Sequence, residues 1–262
     1  MDETRLTFKN SKRCLHGGSI GGVGNFKIKL THEKTFSKDG CLVVSKKDGH
    51  PTLSDGKSIR ISVKPGFCSS DSGWDDCKND RSRSEFYDSE GIKSQLSGTY
   101  EYSIFIPSNV NLLQNGRTFR SKGNTLFLGQ LNTVTSSGHY SSPIMVKWFP
   151  HRGLGFQIHD NFNWNVSKTV YSHLGLEEQK DRWIGIKFNI DVYENEKGML
   201  EIFVDNKKVF RRDNIPTIKK GGKVTLKLGI YNYLVSLMKE PRSEQYVYFD
   251  NIKKTIRKSI SR

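Results

Sequence analysis

Trp183-Ile184-Gly185-Ile186-Lys187-Phe188-Asn189-Ile190-Asp191-Val192-Tyr193 alternates apolar and polar residues without a break. Ile184, Ile186, Phe188, Ile190 and Val192 fall on one face, and Lys187, Asn189 and Asp191 on the other. Successive side chains of an extended chain point to opposite sides, so this period of two predicts a half-buried antiparallel strand. Just downstream, residues 199–204 and 208–210 flank Asp205-Asn206-Lys207 and read as a hairpin. Working outward, further strands are expected at 25–31, 58–64, 99–106, 125–132, 143–149, 154–159, 224–234 and 245–253. Turn-forming clusters such as Lys64-Pro65-Gly66 and Lys220-Gly221-Gly222 separate them. Only 172–181 reads as a helix, and no repeat or linker divides the chain. Many strands with long loops predict an all-β fold, a two-sheet antiparallel sandwich of the β-jelly-roll kind in a single domain. Its expected extent is 25–254, after a glycine-rich segment at 1–24 and before a basic tail at 255–262.

The 262 residues carry 42 Lys and Arg against 27 Asp and Glu, a formal net charge of +15. Such a surface suits a polyanion, whether nucleic acid, anionic polysaccharide or membrane surface. The basic residues are spread along the chain, except that Lys253, Lys254, Arg257, Lys258 and Arg262 close it without an acid. That run reads as a solvated tail. With 15 Phe and 10 Tyr the chain can build a sizeable core, which excludes a disordered polymer. No apolar run approaches the length of a membrane-spanning helix, so no membrane insertion is expected. Residues 1–13 lack the apolar stretch of an export signal; either the chain is not exported that way, or it is a mature form. Cys14, Cys41, Cys68 and Cys77 contain no CxxC spacing, which argues against a zinc ribbon. Cys68 and Cys77 flank a Ser/Asp/Gly-rich stretch, and the spacing alone leaves a disulfide and two free thiols both open.

Four groups of residues carry candidate chemistry. In Arg81-Ser82-Arg83-Ser84-Glu85-Phe86-Tyr87, strand alternation puts Arg81, Arg83, Glu85 and Tyr87 on one face. Such a row is too costly to bury, so it lines a wet cleft or a solvated surface, and an arginine held by its own glutamate can grip a carboxylate or sulfate. In Gly129-Gln130-Leu131-Asn132, the two amides share a face; they can donate to an oxyanion or satisfy a neighbouring loop. In Lys227-Leu228-Gly229-Ile230-Tyr231-Asn232-Tyr233, Lys227, Tyr231 and Tyr233 share a face, and Gly229 opens a space between them that a ligand can approach. Among the histidines, His50, His139 and His159 are candidate bases, and His159, which follows Gln157 at strand spacing, could simply line the same cleft. No HExxH or HxH pair points to zinc, no Walker spacing or GxSxG elbow occurs, and no ExDxxE carboxylate pair supports glycoside hydrolysis.

Taken in order, these motifs resemble the polysaccharide lyase superfamily of heparin lyase I-type and glucuronan lyase-type enzymes, and more distantly the jelly-roll alginate lyases. The likeness runs over roughly 25–254. Asp80-Arg81-Ser82-Arg83-Ser84-Glu85, behind Phe67-Cys68 and Asp76-Cys77, is similar to the family's cysteine-flanked R-x-R-x-E segment. Gly129-Gln130-Leu131-Asn132 stands where the family often has G-Q-x-H, with Asn132 in place of the histidine. Lys227-Leu228-Gly229-Ile230-Tyr231 looks like the K-x-G-[VI]-Y strand, and Val247-Tyr248-Phe249-Asp250-Asn251 resembles the closing strand. The resemblance implies a concanavalin-like jelly roll, a Cys68–Cys77 disulfide and β-elimination of a uronate polymer.

Within that resemblance, Arg83, Gln130 and Asn132 are expected to bind the uronate carboxylate, and Tyr231 to protonate O4. In a single-tyrosine scheme Tyr231 is also the base, helped by cationic neighbours such as Lys227 and Arg81; His50 or His139 is the fallback. Glu85 is expected to orient Arg83, with Arg81, Lys227, Tyr233, Gln157 and His159 contacting substrate. No cofactor is required for the chemistry; the resemblance allows a structural calcium, with Asp250 the best single candidate ligand. The expected protein is a secreted or periplasmic monomer acting on an anionic polysaccharide. Two alternatives stand beside it: a non-catalytic lectin-like jelly roll, and a nucleic-acid binder, for which no module is found.

Overall fold

The computed structural model describes residues 2–5, 28–30, 40–53, 56–64, 68, 70–71, 74–110, 126–135, 137, 140–149, 151–160, 163–233 and 243–258. Its strands in chain order are β1 (Asp2–Arg5), β2 (Ile28–Leu30), β3 (Cys41–Ser45), β4 (Lys57–Val63), β5 (Ser70–Asp71), β6 (Trp74–Asp75), β7 (Arg81–Asp88), β8 (Ile92–Lys93) and β9 (Leu96–Phe105). They continue with β10 (Leu126–Thr135), β11 (Tyr140–Phe149), β12 (Gly153–Asp160), β13 (Asn163–Tyr171), β14 (Trp183–Val192), β15 (Gly198–Val204), β16 (Lys207–Ile215), β17 (Gly222–Tyr233) and β18 (Gln245–Lys258).

Two antiparallel sheets of eight strands form the sandwich. Sheet I runs β16-β15-β14-β9-β18-β4-β3, with β1 beside β18; sheet II runs β13-β12-β11-β10-β17-β7-β2, with β8 beside β17. The alternating stretch 183–193 supplies β14. Its apolar residues Ile184, Ile186, Phe188, Ile190 and Val192 are all buried between the sheets. Leu126, Leu128 and Leu131 of β10, and Leu226, Leu228 and Ile230 of β17, meet them from the other side. The hairpin is also as read: Asp205 and Asn206 form a two-residue turn, both with positive φ, the conformation that matches strand twist in tight hairpins.

Three expectations are corrected. The supposed helix at 172–181 is a loop with one short 3-10 turn at Glu177–Gln179. Gln179 is fully buried and pins that loop: it accepts from the Leu154 N–H at 2.7 Å and donates to the Leu174 carbonyl at 2.9 Å. The supposed solvated tail is largely strand, since β18 continues to Lys258 and pairs with both β9 and β1. Lys254 within it is 1% exposed, and its Nζ lies 2.9 Å from Asp88 Oδ2, which also accepts from the Tyr100 hydroxyl at 2.7 Å. That buried ion pair ties the two sheets together. Finally, Asp2–Arg5 joins sheet I, so the sheet extends on both sides of the expected 25–254 limits.

Candidate active site

The polar face of sheet II is assembled strand by strand. Along β7, Ser82, Ser84 and Phe86 turn inward and Arg81, Arg83, Glu85 and Tyr87 outward. β17 pairs with it in the register Lys227↔Tyr87, Gly229↔Glu85, Tyr231↔Arg83 and Tyr233↔Arg81. On the other side of β17, β10 sets Phe127 opposite Tyr231, Gln130 opposite Lys227 and Asn132 opposite Thr225. A register shift between Phe127 and Gly129 takes up the odd residue, so that Phe127 and Gln130 both reach this face. β11 then sets Lys147 opposite Phe127 and Met145 opposite Gln130, and β12 sets Gln157 opposite Met145. Segments more than a hundred residues apart thus form one continuous floor.

Gly229 serves a different purpose from the one expected. A Cβ there would lie 2.1 Å from the Ser84 carbonyl oxygen and 2.6 Å from Glu85 Cα. The missing side chain lets β7 approach β17 rather than leaving room for a ligand.

Arg83 is tightly held. Its Nε and Nη2 each donate to Asp76 at 2.7 Å, and its Nη1 lies 3.5 Å from Glu85 Oε2. The guanidinium also lies 4.2 Å from the centre of the Tyr231 ring. Burial works against its charge, but Glu85 and Asp76 outweigh it and hold the arginine above its ordinary pKa. Glu85 stands beside Arg83 as an ion-pair partner, while the bidentate clamp is Asp76, to which the sequence pattern assigns no role. Asp76 adjoins Cys77, and Cys77 is bonded to Cys68, with Cα atoms 5.0 Å apart across a separation of nine residues. The disulfide implied by the resemblance is present, and it fixes the loop that fixes the arginine.

Tyr231 is packed between Arg83 and Phe127, whose ring stacks on it at 5.0 Å between centres. Burial pushes the phenol up, and by more than Arg83 and Arg81 pull it down, so it rests as the neutral phenol. Lys227 lies along the same strand, near the Tyr87 ring at 5.9 Å; burial lowers its pKa, with Glu85 opposing and Arg83 assisting. The Ser142 hydroxyl bridges the amide oxygens of Gln130 and Asn132, and Gln130 Nε2 donates to Glu85 Oε1 at 3.3 Å. Asn132 is fully buried, and its Nδ2 has no hydrogen-bond partner among the described residues. A buried donor left unmade costs on the order of 1–3 kcal/mol, which an incoming oxyanion would recover.

The remaining expected residues are scattered. Arg81 lies beside Tyr233 in register, and only the backbone of Tyr233 is described. Gln157 is on the floor, donating to the Ser167 hydroxyl at 2.9 Å. His159, two residues on, is buried and lines a pocket at the sandwich edge with Pro143, Ile158, Arg212 and Thr217. His50 is not on this face: its Nδ1 lies 3.2 Å from the hydroxyl of Tyr248. Tyr248 alternates on β18 with the core residues Val247 and Phe249, so its ring is on the outer side of sheet I. This corrects His50 as a base beside Tyr231. His139 lies outside the described residues. No described histidine contacts Tyr231.

Asp250 does not fit a calcium site. Its two carboxylate oxygens accept the backbone N–H groups of Leu53 and Asn251, at 2.6 and 2.5 Å. No cluster of three or more metal-type side chains occurs among the described residues. The carboxylate anchors a loop.

Lys147 was not anticipated. It is 9% exposed, its ammonium lies 4.8 Å from the centre of the Phe127 ring, and it donates to Gln157 Oε1. Burial alone lowers its pKa to about 8. The available clue was Met145-Val146-Lys147-Trp148, where alternation puts a lysine opposite two core residues.

Known proteins share this architecture. The sandwich is similar to the endo-β-1,4-glucuronan lyase of the fungus Trichoderma reesei, with a TM-score of 0.62 at 11% identity over 92% of this chain and 94% of that one. It is also similar to the alginate lyase AlyA1 of Zobellia galactanivorans, with a TM-score of 0.54 at 15% identity over 85% and 83%. A third likeness is to the alginate lyase PA1167 of Pseudomonas aeruginosa, with a TM-score of 0.55 at 11% identity over 87% and 89%. At such identities the likeness is one of fold. No curated protein matches the chain. The polysaccharide lyase family model, however, matches residues 29–253, nearly the whole sandwich and every described residue of the polar floor. This chain belongs to the polysaccharide lyase family.

Proposed function

We propose that the protein cleaves a uronate-containing anionic polysaccharide by β-elimination, with the polar face of sheet II as its active site. The observation that carries this reading is Tyr231, set in register between the clamped cation Arg83 and the ring of Phe127, beside a buried pair of amides. The C5 proton of a uronate is only weakly acidic while the neighbouring carboxylate keeps its charge. Asn132 Nδ2, Gln130 and the remaining N–H groups of Arg83 donate to that carboxylate and to the enolate-like charge that develops on it. Tyr231 acts as the phenolate and removes the C5 proton. The C5–H electron pair becomes the C4=C5 double bond, the C4–O4 bond breaks, and Tyr231 returns the proton to O4. The chain is left with an unsaturated uronate end and a new hydroxyl end, and the tyrosine is restored.

Burial makes the phenolate scarce at neutral pH, and Arg83 and Arg81 offset part of that cost. Only side-chain groups enter this scheme. Glucuronan and alginate are the first substrates to try, since solved lyases of this fold act on them. The Cys68–Cys77 disulfide supports a secreted or periplasmic protein, and no described helix is long and apolar enough to cross a membrane. We take it to act as a monomer.

The test is ultraviolet absorbance of the conjugated unsaturated uronate over a panel of polyuronates, with Tyr231→Phe in parallel. Absorbance with one polymer, lost in the variant, is the expected result. Binding without absorbance across the panel would replace the enzyme with the lectin.

A further inference from the structure

We propose that Lys147 and Gln157 form a carboxylate subsite for a second uronate, one sugar removed from the unit whose C5 faces Tyr231. This inference rests on the lyase reading of the same face. Arg83, Tyr231, Phe127 and Lys147 stand in one transverse row on four adjacent strands, with successive contacts of 4.2, 5.0 and 4.8 Å. The two cations that end the row are held in opposite ways. Arg83 is neutralised by Asp76 and Glu85, with N–H groups to spare. Lys147 meets only neutral groups, the Phe127 ring and the Gln157 amide, and no carboxylate among the described residues pairs with it.

A buried ammonium without a counter-ion is costly, and the Phe127 ring and the Gln157 amide oxygen offset only part of that cost. An arriving carboxylate removes that cost and gains a charge-assisted hydrogen bond. Gln157 aims the ammonium and is itself held by Ser167 at 2.9 Å. Because the whole Phe127 ring separates Lys147 from Tyr231, the carboxylate it takes belongs to a neighbouring sugar. The polymer therefore crosses the strands along this row, and a substrate needs acidic groups on successive units.

The experiment measures binding of a β-1,4-linked glucuronate tetrasaccharide by calorimetry, in a Tyr231→Phe background that prevents turnover, with and without Lys147→Met. Methionine keeps the length of the side chain and packs on Phe127, so folding is retained. Loss of one charge-assisted contact weakens binding by about tenfold or more, and Lys147→Arg restores most of it. With Lys147 intact, a tetrasaccharide whose carboxyls are reduced to alcohols binds more weakly by a similar factor; this arm needs no change at Lys147. In cleavage assays with otherwise wild-type protein, the loss in Lys147→Met falls on KM. Equal affinity with and without the substitution overturns the subsite. So does a collapse of kcat at unchanged KM, which would make Lys147 a proton-transfer group instead. If the variant binds more weakly but intact protein never yields unsaturated product, the subsite stands and the lyase reading fails. If the tetrasaccharide is not bound at all, the subsite is overturned, and the panel of polyuronates judges the lyase reading separately.

Discussion

The outer faces of the two sheets look alike in sequence and differ in how their charges are matched. On sheet I, Glu201 receives hydrogen bonds from Asn189 at 3.0 Å, Lys208 at 3.0 Å and Arg211 at 2.7 Å, and Arg211 also grips Asp213 with two bonds of 2.7 Å. A groove of about 750 Å³ lies on that face, and Glu201 and Asp213, which line it, are both held by Arg211. On sheet II, Lys147 is 9% exposed with no carboxylate beside it among the described residues, Tyr231 is packed between a cation and a ring, and Asn132 keeps a buried N–H without a partner among the described residues. A matched surface is stable and inert. A face that buries unmatched donors is waiting for an anion, so chemistry is placed by polar mismatch rather than by the size of a hollow.

The contrast can be broken most severely at Tyr231. Tyr231→Phe should lower kcat by about 10²–10⁴-fold, while Glu201→Gln on sheet I leaves it within about twofold, both read from product absorbance. Next in size is the clamp on Arg83. Asp76 is fully buried and Arg83 nearly so, and Asp76→Ala strands the guanidinium, which should destabilise the fold by about 3–5 kcal/mol in denaturant melts. Reducing the Cys68–Cys77 bond loosens the same loop, and should lower activity before the cooperative unfolding of the sandwich.

Dependence on pH separates the two roles on sheet II. With its pKa raised by burial, Tyr231 is mostly protonated at neutrality, so kcat should climb about tenfold per pH unit until the phenol titrates. Lys147 has a pKa lowered to about 8, is charged below that value and loses the charge above it, so KM should rise above about pH 8. The groups packed on it, Phe127 of β10 and Gln157 of β12, do not titrate, and Tyr231 and Arg83 lie beyond the ring. A kcat that falls with rising pH would make Tyr231 the acid alone. The smallest effect belongs to sheet I. Burial opposes the charge of Glu201, but the bonds from Asn189, Lys208 and Arg211 win and hold its carboxyl at about 2. Its contribution is present above the ordinary carboxylate range and is lost as pH falls from there toward 2. Since Lys208 and Arg211 are partly exposed, Glu201→Gln should cost about 1 kcal/mol or less, a shift of about 2–4 °C in Tm.

Much of the polar floor is legible in the order of residues. Alternation alone puts Arg83 with Glu85, Gln130 with Asn132, and Lys227 with Tyr231, because side-chain direction in a strand is a local property. The family resemblance joins the three strands and supplies the disulfide. Asp76 escapes such a reading because its importance comes from reaching back to Arg83, and Lys147 because a lysine on a strand ordinarily points to water. His50 is misplaced for the converse reason: nothing local to a loop residue says which sheet it folds against. Gly229 is misread because the missing side chain says that something approaches, and only the pairing shows that it is β7.

Residue order by itself settles which residues face the core and which face outward, and thereby the two-sheet sandwich, since a period of two leaves few ways to hide the apolar side. Strand order, register and burial cannot be read this way. Whether Arg83 meets Tyr231, whether Lys147 keeps its water and whether Asn132 finds a partner depend on contacts between segments far apart in the chain. Those contacts are set by packing all the strands at once, and the energy of a charge depends on the neighbours that packing brings.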